Sequence, residues 1–270
     1  MKKFIWPINL ILLKEIDSTN QYAKKYIHEK CKKYNWIVIW TINQTKGVGM
    51  NNNLWYTEKK KDLTFSIIFK PIQVLHIKKI YIINIIISNA IHKILSECYN
   101  SKNKEQIWIK WPNDIIINEK KVGGILIENS IFSKKIHTVI SGIGLNVNHK
   151  KLKREWNASS LEEIFNINFD LDYLFYKIIF FIQKEYFLFT IYGEKFIREY
   201  YINHLYLKDK NSLFYIYKTN NYISGIIRSI NDQGFLLIEF DKKIDFFDQK
   251  EIKFLHFSIY FILLFLNFYI

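Results

Sequence analysis

Two lysines and an aspartate stand close together in the stretch IKWPNDIIINEKKVGGILIE, residues 109–128. Lys110 and Asp114 belong to its first half, and Lys121 belongs to its second half. Two ammonium groups beside one carboxylate suit an anionic ligand, such as a nucleotide phosphate or a carboxylate. The same charges also fit an ordinary surface hairpin, so the spacing alone leaves both interpretations open.

The uncharged residues of this stretch predict how the charges are positioned. Pro112 fixes its own backbone angle and favours an extended conformation at Trp111, so the chain leaves a strand stiffly and then turns. It returns as a second strand, which brings the two lysines towards each other across a hairpin. Gly123 and Gly124 on the returning strand allow another group to approach the backbone closely.

Two further segments combine glycines with amides and suit a small polar ligand. The loop QTKGVGMNNNLW at residues 44–55 contains a G-x-G pattern without a clear helix start behind it, so it matches neither a Rossmann nor a P-loop motif. The segment SGIGLNVN at residues 141–148 places glycines inside an apolar strand, and Asn146 offers both a donor and an acceptor. An edge-strand turn explains this last segment equally well.

Hydrophobic patterning predicts an α+β scaffold for these segments. Ser18 is the predicted N-cap of the first helix, and Gln21 completes a capping box. Short apolar runs separated by tight turns predict an antiparallel or mixed sheet, and long apolar runs predict buried helices. The predicted strands are the run ending at Leu13 and residues 36–42, 63–69, 107–109, 115–117, 122–127 and 138–147; residues 43–53 are a predicted loop, and 77–95 and 171–201 are predicted helices.

The pattern changes at about Asn203, where short strands begin to recur. Turn residues separate them, which predicts a small, barrel-like all-β module. The strands are expected at residues 212–217, 222–229, 234–239 and 244–247. The apolar tail at 256–270 fits a buried helix, a membrane-surface anchor or poorly constrained sequence, and its role stays open.

The formal net charge of +14 is typical of proteins that bind nucleic acid, membranes or anions, but the lysines are scattered. The composition, rich in Ile, Lys, Asn, Phe and Tyr, indicates drift of an AT-rich genome, so we expect no nucleic-acid partner. Cys31 and Cys98 form no metal or disulfide pattern, which favours a reducing cytoplasm. Pro7 and Asn9 interrupt the N-terminal apolar run, so we interpret it as a strand rather than a signal peptide, and we expect no membrane span.

Taken in order, these segments resemble those of biotin–protein ligases, in the short form without an N-terminal DNA-binding domain. KWPND followed by K-x-x-G-I-L-x-E is the most specific part of the resemblance. The other similar segments are DSTN at 17–20, NQTKGVG with a later W at 43–55, GIGLNVN at 142–148, NASSL at 157–161 and KEIKFL at 250–255.

The resemblance implies a mixed β-sheet packed by helices, related to the catalytic domains of class II aminoacyl-tRNA synthetases, and a C-terminal SH3-like barrel. It implies residues 1–202 as the biotin- and ATP-binding catalytic domain and 203–255 as the barrel. Proteins of this family join biotin to ATP, giving biotinyl-5′-adenylate and pyrophosphate. They then transfer biotin to one lysine of a biotin carboxyl carrier protein. Homodimers are common among them, and Mg²⁺ accompanies ATP.

The resemblance also assigns roles to individual residues. Lys121 matches the family lysine between the biotin carboxylate and the α-phosphate, Lys110 is a second cation, and Asp114 aids the transfer step or holds Mg²⁺. A free carboxylate is a weak base for a lysine amine, so orienting that amine is an equally open role for Asp114. The implied biotin-binding residues are Ser18, Thr19, Asn20, Gln44, Gly47, Gly49, Trp55, Lys121, Gly123 and Gly124; the implied ATP-binding residues are Lys46, Met50, Asn53, Trp55, Lys110, Asn113, Asp114, Lys121, Leu145 and Asn146.

The glycine-rich loop departs from the family pattern. Val48, Met50 and Asn52 occupy places that usually hold an arginine, a polar or basic residue and a further glycine. We therefore expect two phosphate-side contacts to be missing and the adenylate to be held less firmly. Two rival functions remain open, a lipoate or octanoate ligase or transferase on a related fold, and a binding regulator without turnover.

Overall fold

The computed structural model describes residues 4–30, 36–98, 106–149, 152 and 156–255, and it divides into two compact units between Tyr201 and Ile202. The first unit is a mixed α+β structure. Its strands are β1 (Ile8–Leu13), β2 (Trp36–Thr41), β3 (Gly47–Val48), β4 (Leu54–Trp55), β5 (Leu63–Phe69), β6 (Ile107–Lys110), β7 (Asp114–Ile117), β8 (Lys120–Phe132) and β9 (Lys135–Leu145). The helices are α1 (Thr19–Lys30), α2 (Tyr81–Cys98), α3 (Leu161–Phe165) and α4 (Leu171–Asn203).

Seven of these strands form one sheet in the order β1-β2-β5-β9-β8-β7-β6. β1 and β2 run parallel, whereas the other neighbours pair antiparallel, so the predicted mixed sheet is confirmed. β2 and β5 are buried along their whole length, because helices cover both faces of the sheet centre. The β2 sequence WIVIWT is almost wholly apolar, and the β5 sequence alternates weakly with Thr64 and Ser66; both patterns are typical of strands, so the sequence predicted them well.

The two faces of the sheet differ in what covers them. On one face, Ile37, Ile39 and Ile68 pack with Ala23 of α1. On the other face, aromatic side chains of β2 and β5 meet α4, with Trp36 against Tyr186 and Phe65 against Phe175. The polar positions of β5 lie on the α1 face, because side chains alternate along a strand.

Several predicted boundaries move in the structure. The predicted helix at 77–95 begins only at Tyr81, because residues 77–79 form a separate 3₁₀ turn, and it continues to Cys98. The predicted loop at 43–53 contains the short pair of β3 with β4 and a 3₁₀ turn at Met50–Asn52. Gly193, at φ 79°, interrupts the helical geometry within α4. Pairing across the sheet and between these two-residue strands is a long-range effect that local pattern does not reveal.

The second unit contains a five-stranded sheet in the order β13-β12-β11-β10-β14. Among the described residues, the edge strands β13 and β14 do not pair, so the sheet is open and the barrel stays a prediction. A register shift between Ile227 and Ser229 marks a β-bulge in the long central strand. Its strands are β10 (Asn211–Ile216), β11 (Asn221–Ile230), β12 (Leu236–Phe240), β13 (Lys243–Phe247) and β14 (Ile252–Phe254).

Some of the sequence predictions concern residues that the structure does not describe. The tail at 256–270 and Cys31 lie outside the described residues. Across the described part of the chain, no helix has the length and apolar character needed to cross a membrane.

Gln183 of α4 ties the N-terminal segment to the first unit. Its Oε1 accepts the backbone N–H groups of Ile5 at 2.9 Å and Trp6 at 3.1 Å, and its Nε2 donates to the Trp6 carbonyl at 2.9 Å. Gln183 is fully buried, so these three bonds replace water contacts that the backbone would otherwise make.

We predict that Gln183→Leu lowers the free energy of unfolding by about 3 kcal/mol, at roughly 1 kcal/mol for each lost hydrogen bond. Urea unfolding followed by far-UV circular dichroism measures this change. Gln233→Leu, at an exposed turn of the second unit, is the control and should leave the unfolding midpoint unchanged. Equal midpoints for Gln183→Leu and the parent would refute the anchoring role.

Candidate functional site

Glycines form the floor of the candidate site, on the α1 face of the sheet. Gly124 of β8 pairs directly with Gly144 of β9. A Cβ atom added to Gly144 would lie 2.3 Å from Cε2 of Trp55, and one added to Gly142 would lie 2.4 Å from Oδ1 of Asn20. These two positions therefore require glycine, because real side chains do not pack at such distances. The floor lets Trp55 and Asn20 rest directly on the strand backbones.

Trp55 reaches this floor from the small β3–β4 hairpin. Gly47 pairs with Trp55, and a Cβ at Gly47 would lie 2.4 Å from both the Trp55 carbonyl oxygen and Nε2 of Gln44. The Trp55 indole Nε1 is buried and has no hydrogen-bond partner among the described residues. A buried N–H without a partner is costly, so this group is suited to donate to an acceptor on a bound ligand.

The charged residues lie at the end of the same row across the sheet. Lys110 of β6 pairs with Asp114 of β7, and Asp114 pairs with Gly124 of β8. Gly124 in turn pairs with Gly144 of β9, so the four residues form one row across the sheet. Lys121 joins them through a register shift between Ile115 and Ile116. Residues three apart on a regular strand face opposite sides, but the bulge turns the Lys121 ammonium to the Gly124 side, 3.5 Å from a Cβ built there.

Lys121 and Asp114 form an ion pair, with 2.6 Å between Nζ and Oδ1. Both side chains remain partly open to solvent, at 35% and 22% exposure, so the pair is accessible to a ligand and does not belong to the core. The ammonium also lies 5.6 Å from the centroid of the Trp55 ring. A cation, a carboxylate and an indole N–H therefore converge above the glycine floor.

The backbone of Lys121 is fixed by the segment that follows β9. Its N–H donates to the Asn157 carbonyl at 3.0 Å, and its carbonyl accepts from Ser159 N at 3.0 Å. Asn146 belongs to the same arrangement, since its Nδ2 donates to the Ser159 carbonyl at 3.2 Å. The NASSL segment thus links the predicted nucleotide-side asparagine with the predicted central lysine.

Lys110 is partly buried. Burial lowers the pKa of its ammonium group; the Asp114 carboxylate opposes that shift, and the Lys121 ammonium adds to it. The three charges therefore interact, as the sequence predicted for the two lysines across the hairpin. A lysine with a lowered pKa loses its charge at a lower pH than an exposed lysine does.

The bend between β6 and β7 is fixed by hydrogen bonds to Pro112, whose peptide bond with Trp111 is cis. The Pro112 carbonyl accepts from the Tyr81 hydroxyl and from Asn84 Nδ2, each at 2.7 Å. Asn113 faces the returning strand, where its Nδ2 donates to the Ile125 carbonyl at 2.6 Å. Hydrogen bonds thus hold the bend on both sides, and they fix the position of Asp114 relative to Lys121.

A network of neutral polar groups lies beside the charged row on the same face. Thr19 N donates to Gln44 Oε1 at 2.9 Å. Ser66 Oγ lies 2.8 Å from Thr19 Oγ1 and 2.6 Å from Asn20 Oδ1. All four side chains are at least nine-tenths buried. Such an array suits a small ligand with its own amide-like donors and acceptors.

Ser18 and Lys46 lie at the edges of this network. Ser18 caps α1 as predicted, accepting from Gln21 N at 3.4 Å. The second half of the predicted capping box is not formed, because Ser18 N donates to Asp17 Oδ1 at 2.7 Å instead. Lys46 is exposed, and its backbone N–H donates to the Asp17 carbonyl at 2.8 Å.

The remaining predicted ligand residues are not all on the α1 face. Gly123 packs against Leu145 and Ile115 on the opposite side of the strands from Gly124. Gly49 N donates to the Asn53 carbonyl at 2.7 Å, and Asn53 N donates to Met50 O at 3.1 Å, which shapes the loop of the hairpin. Ligand contacts of these residues stay predictions.

Two residues of the site were not predicted from the sequence. Ser66 joins the polar network from the centre of β5, and Glu128 of β8 accepts a hydrogen bond from Asn20 at 3.0 Å. Ser66 could have been found, because Thr64 and Ser66 are polar residues two apart in an otherwise apolar strand. Glu128 belongs to the K-x-x-G-I-L-x-E motif, but the direction of its side chain follows only from strand pairing.

The described residues contain no group of three or more His, Cys, Asp or Glu side chains that could hold a metal ion. Asp114 is the carboxylate in the charged row, and one of its oxygens already contacts Lys121. Mg²⁺ usually takes one or two protein carboxylates and completes its shell with phosphates and water. The residues present therefore fit an ion that arrives with a nucleotide, and not a site made by protein alone.

We predict that Gly144→Ala displaces the Trp55 ring, because the new methyl group would overlap the indole. The indole N–H resonance of Trp55, assigned with Trp55→Phe, should move in a ¹⁵N–¹H spectrum of Gly144→Ala. Gly49→Ala is the matched control, since its nearest contact, the Asn53 carbonyl oxygen, would be at an ordinary 3.5 Å. An unmoved Trp55 resonance in Gly144→Ala would contradict the described packing.

Comparison with solved structures supports the fold. A biotin protein ligase from Aquifex aeolicus in complex with biotin and ATP matches with a TM-score of 0.70 and 24% sequence identity, over 91% of this chain and 97% of that chain. A biotin protein ligase from Leishmania major in complex with biotinyl-5-AMP matches with a TM-score of 0.59 and 18% identity, over 89% and 98%. At these identities the likeness concerns the fold alone.

Sequence comparison gives relatives over part of the chain. The bifunctional ligase/repressor BirA of Bacillus subtilis is 27% identical over 150 residues, which are 56% of this chain and 44% of that protein. A mannosyltransferase (PIG-M) model matches residues 116–244, less than half of the chain and across the boundary of the two units, so no family is assigned from it. The model of the biotin/lipoate A/B protein ligase family matches residues 12–146, half of the chain. The chain therefore belongs to the biotin/lipoate A/B protein ligase family.

Proposed function

We propose that this protein attaches biotin to a lysine of a biotin carboxyl carrier protein, using ATP and a biotinyl-5′-adenylate intermediate. The observation that carries the proposal is the Lys121–Asp114 ion pair, which adjoins the glycine floor below Trp55. Family membership and the fold shared with biotin protein ligases support it. The titles of the Aquifex and Leishmania structures name biotin, ATP and biotinyl-5-AMP as ligands of those proteins.

In the first step, a biotin carboxylate oxygen attacks the α-phosphorus of ATP, and pyrophosphate leaves as the phosphorus–oxygen bond breaks. The step brings two anions together, so positioning and charge neutralisation account for most of the catalysis. Lys121 is the cation between the two groups, and Lys110 is the second cation. The ion pair with Asp114 holds the Lys121 side chain before substrates bind, which lowers the cost of ordering it.

In the second step, the amine of the carrier lysine attacks the acyl carbon, and AMP leaves together with one proton from the amine. Asp114 is placed to orient that amine, because only one of its oxygens is occupied by Lys121. The same free oxygen makes Asp114 the candidate protein ligand for Mg²⁺ bound to the ATP phosphates. When bound, the ion neutralises phosphate charge, whereas the protein residues orient the reacting groups.

The neutral network is proposed to hold the cyclic urea of biotin. Thr19 and Gln44 supply hydrogen-bonding groups at its centre, and Ser18, Asn20 and Gly47 surround them. Uncharged partners suit a ring that is itself uncharged but carries donors and a carbonyl acceptor. Gly49, Gly123 and Gly124 complete the proposed biotin set.

The nucleotide is proposed to lie on the Asn146 side of Lys121. The NASSL segment connects these two residues, which supports placing the α-phosphate between them. Trp55 would cover the intermediate and exclude water from it. The other proposed nucleotide contacts are Lys46, Met50, Asn53, Asn113 and Leu145, with weaker adenylate retention expected from Val48, Met50 and Asn52.

The second unit is proposed to be an SH3-like module, although its described sheet is open. The bulged central strand supports this proposal, because bulges increase the bend and twist of a strand. The carrier partner and a homodimer are implied by the family resemblance, and a cytoplasmic location is favoured by the cysteine usage; all three belong to the same proposal.

A lipoate-type ligase is the second candidate, because the family description names both acids. The buried polar network of Thr19, Asn20, Gln44 and Ser66 favours biotin, whose ring needs such partners. A dithiolane ring would offer no hydrogen bond to the donors and acceptors that these groups do not use among themselves. Offering biotin and lipoate separately with ATP distinguishes the two functions.

We predict that the protein exchanges labelled pyrophosphate into ATP only when biotin is present, and that Lys121→Ala lowers this rate at least about 100-fold. Lys120→Ala is the matched control, because Lys120 is the exposed neighbour on the same strand. Exchange in the parent that survives Lys121→Ala would remove the central lysine from the mechanism. No exchange in the parent with biotin would refute the proposed function.

Burial lowers the pKa of Lys110, so we predict an early alkaline fall in kcat/KM for ATP. The rate falls early because Lys110 loses its positive charge at a lower pH than an ordinary lysine does. Lys110→Arg keeps its charge throughout, so the alkaline fall should move to higher pH. A pH profile of pyrophosphate exchange measures this, and coincident alkaline limbs in the two proteins would exclude Lys110 as its source.

A further inference from the structure

His149 has no role in the proposed chemistry, yet three residues of the loop between β4 and β5 converge on its buried side chain. Its Nε2 lies 3.1 Å from Oε2 of Glu58, and its Nδ1 lies 3.2 Å from Oδ2 of Asp62. The His149 ring also packs against the ring of Tyr56, with 5.5 Å between the centroids. A single side chain therefore contacts this loop at three points.

The two carboxylates indicate which form of the His149 ring fits this position. An ionised carboxylate only accepts hydrogen bonds, so Nδ1 carries a proton where it faces Asp62. A proton on Nε2 makes the contact with Glu58 attractive, whereas a lone pair there would face another lone pair. Burial raises the pKa of Asp62, but the backbone N–H groups of Glu58 and Val147 oppose that shift, and so does the charge of His149.

The contacts with Asp62 and Glu58 differ in their surroundings. Asp62 is buried, and its carboxylate accepts from Val147 N at 3.0 Å and from Glu58 N at 2.8 Å. The contact of His149 with Asp62 therefore adds to an arrangement that already joins the loop to the end of β9. The Glu58 side chain is 41% exposed, so its contact with His149 is the outer one. The inner contact bears on stability, because breaking it takes a partner from a buried charge.

Both partners of the outer contact stand close to the proposed site in the chain. Glu58 follows Trp55 by three residues, and His149 follows Asn146 by three residues. We propose that His149 is a positioning residue that holds the Trp55 segment against the nucleotide side of the site, and thereby slows the release of the adenylate. The inference rests on the proposed function, in which Trp55 covers the intermediate. His149 acts through Glu58 and Trp55 and need not touch the ligand.

Two amide variants separate the contacts of His149, because an asparagine nitrogen takes the place of Nδ1 and a glutamine nitrogen takes the place of Nε2. His149→Asn keeps the contact with Asp62 and loses the contact with Glu58. We expect it to release the adenylate about threefold faster, as for the loss of one partly exposed ion pair. His149→Gln keeps the contact with Glu58, so its release rate should stay near that of the parent. Its unfolding midpoint should fall further than that of His149→Asn, because Asp62 loses a partner.

Release is measured by letting the full chain form labelled biotinyl-5′-adenylate from biotin and ATP and then adding an excess of unlabelled adenylate. Urea unfolding gives the midpoints. Faster release in the variant with the lower midpoint would show a merely structural role and would overturn the proposal. A parental release rate in His149→Asn would overturn it as well.

Glu58→Ala provides an independent test if the variants of the buried His149 fold poorly. It removes the same outer contact from a partly exposed position, so its release rate should equal that of His149→Asn. In a Trp55→Ala background, Glu58→Ala should cause no further acceleration, whereas additive effects would contradict an action through Trp55.

The protein without ligands offers a second measurement. The Trp55 indole N–H is buried, and its hydrogen exchange with solvent should be faster in His149→Asn than in the parent or in His149→Gln. Equal exchange in all three proteins would overturn the positioning role, and neither biotin nor ATP is present in this experiment. A parent protein that forms no adenylate would refute the proposed function instead of this inference.

Discussion

The ion pair between Lys121 and Asp114 depends on strand register more than on any local feature. Lys110, Asp114, Gly124 and Gly144 occupy one row across four strands, so charge and open floor adjoin each other. A single bulge then brings Lys121 to the same face. Shifting any of these pairings by one residue would turn a charged group towards the opposite, helix-covered face. The buried strands at the sheet centre stabilise that register.

The polar and charged halves of the site share the glycine floor but differ in electrostatics. In the charged half, Lys121 and Asp114 remain partly exposed to solvent, whereas burial lowers the pKa of Lys110. The neutral half is buried and hydrogen-bonded internally, which suits an uncharged ring. This division matches a substrate with a polar neutral head and a carboxylate at the other end. It is the physical basis for proposing biotin and ATP as neighbours here.

The sequence predicted those parts of the structure that depend on local pattern. The Leu63–Phe69 strand has the predicted bounds, and the helix over 171–201 extends only to Asn203, because weak alternation in the strand and apolar residues at helical spacing are local patterns. The start of α2 at Tyr81 and the β3–β4 pair were missed, because a 3₁₀ turn and two-residue strands carry little periodicity. Within the site, the approach of Lys110, Asp114 and Lys121 followed from one hairpin. The positions of Ser66 and Glu128 in the site could not be predicted, because they arise from pairing between strands that are distant in sequence.

The central claim is that Lys121 lies where a biotin carboxylate and the α-phosphate of ATP meet. Rapid acid quenching of the protein mixed with biotin and ATP, followed by mass spectrometry, tests it most directly. We expect biotinyl-5′-adenylate in amounts close to the protein concentration, with none when either substrate is omitted and almost none with Lys121→Ala. Intact biotin and ATP in every sample, at saturating concentrations of both, would contradict it.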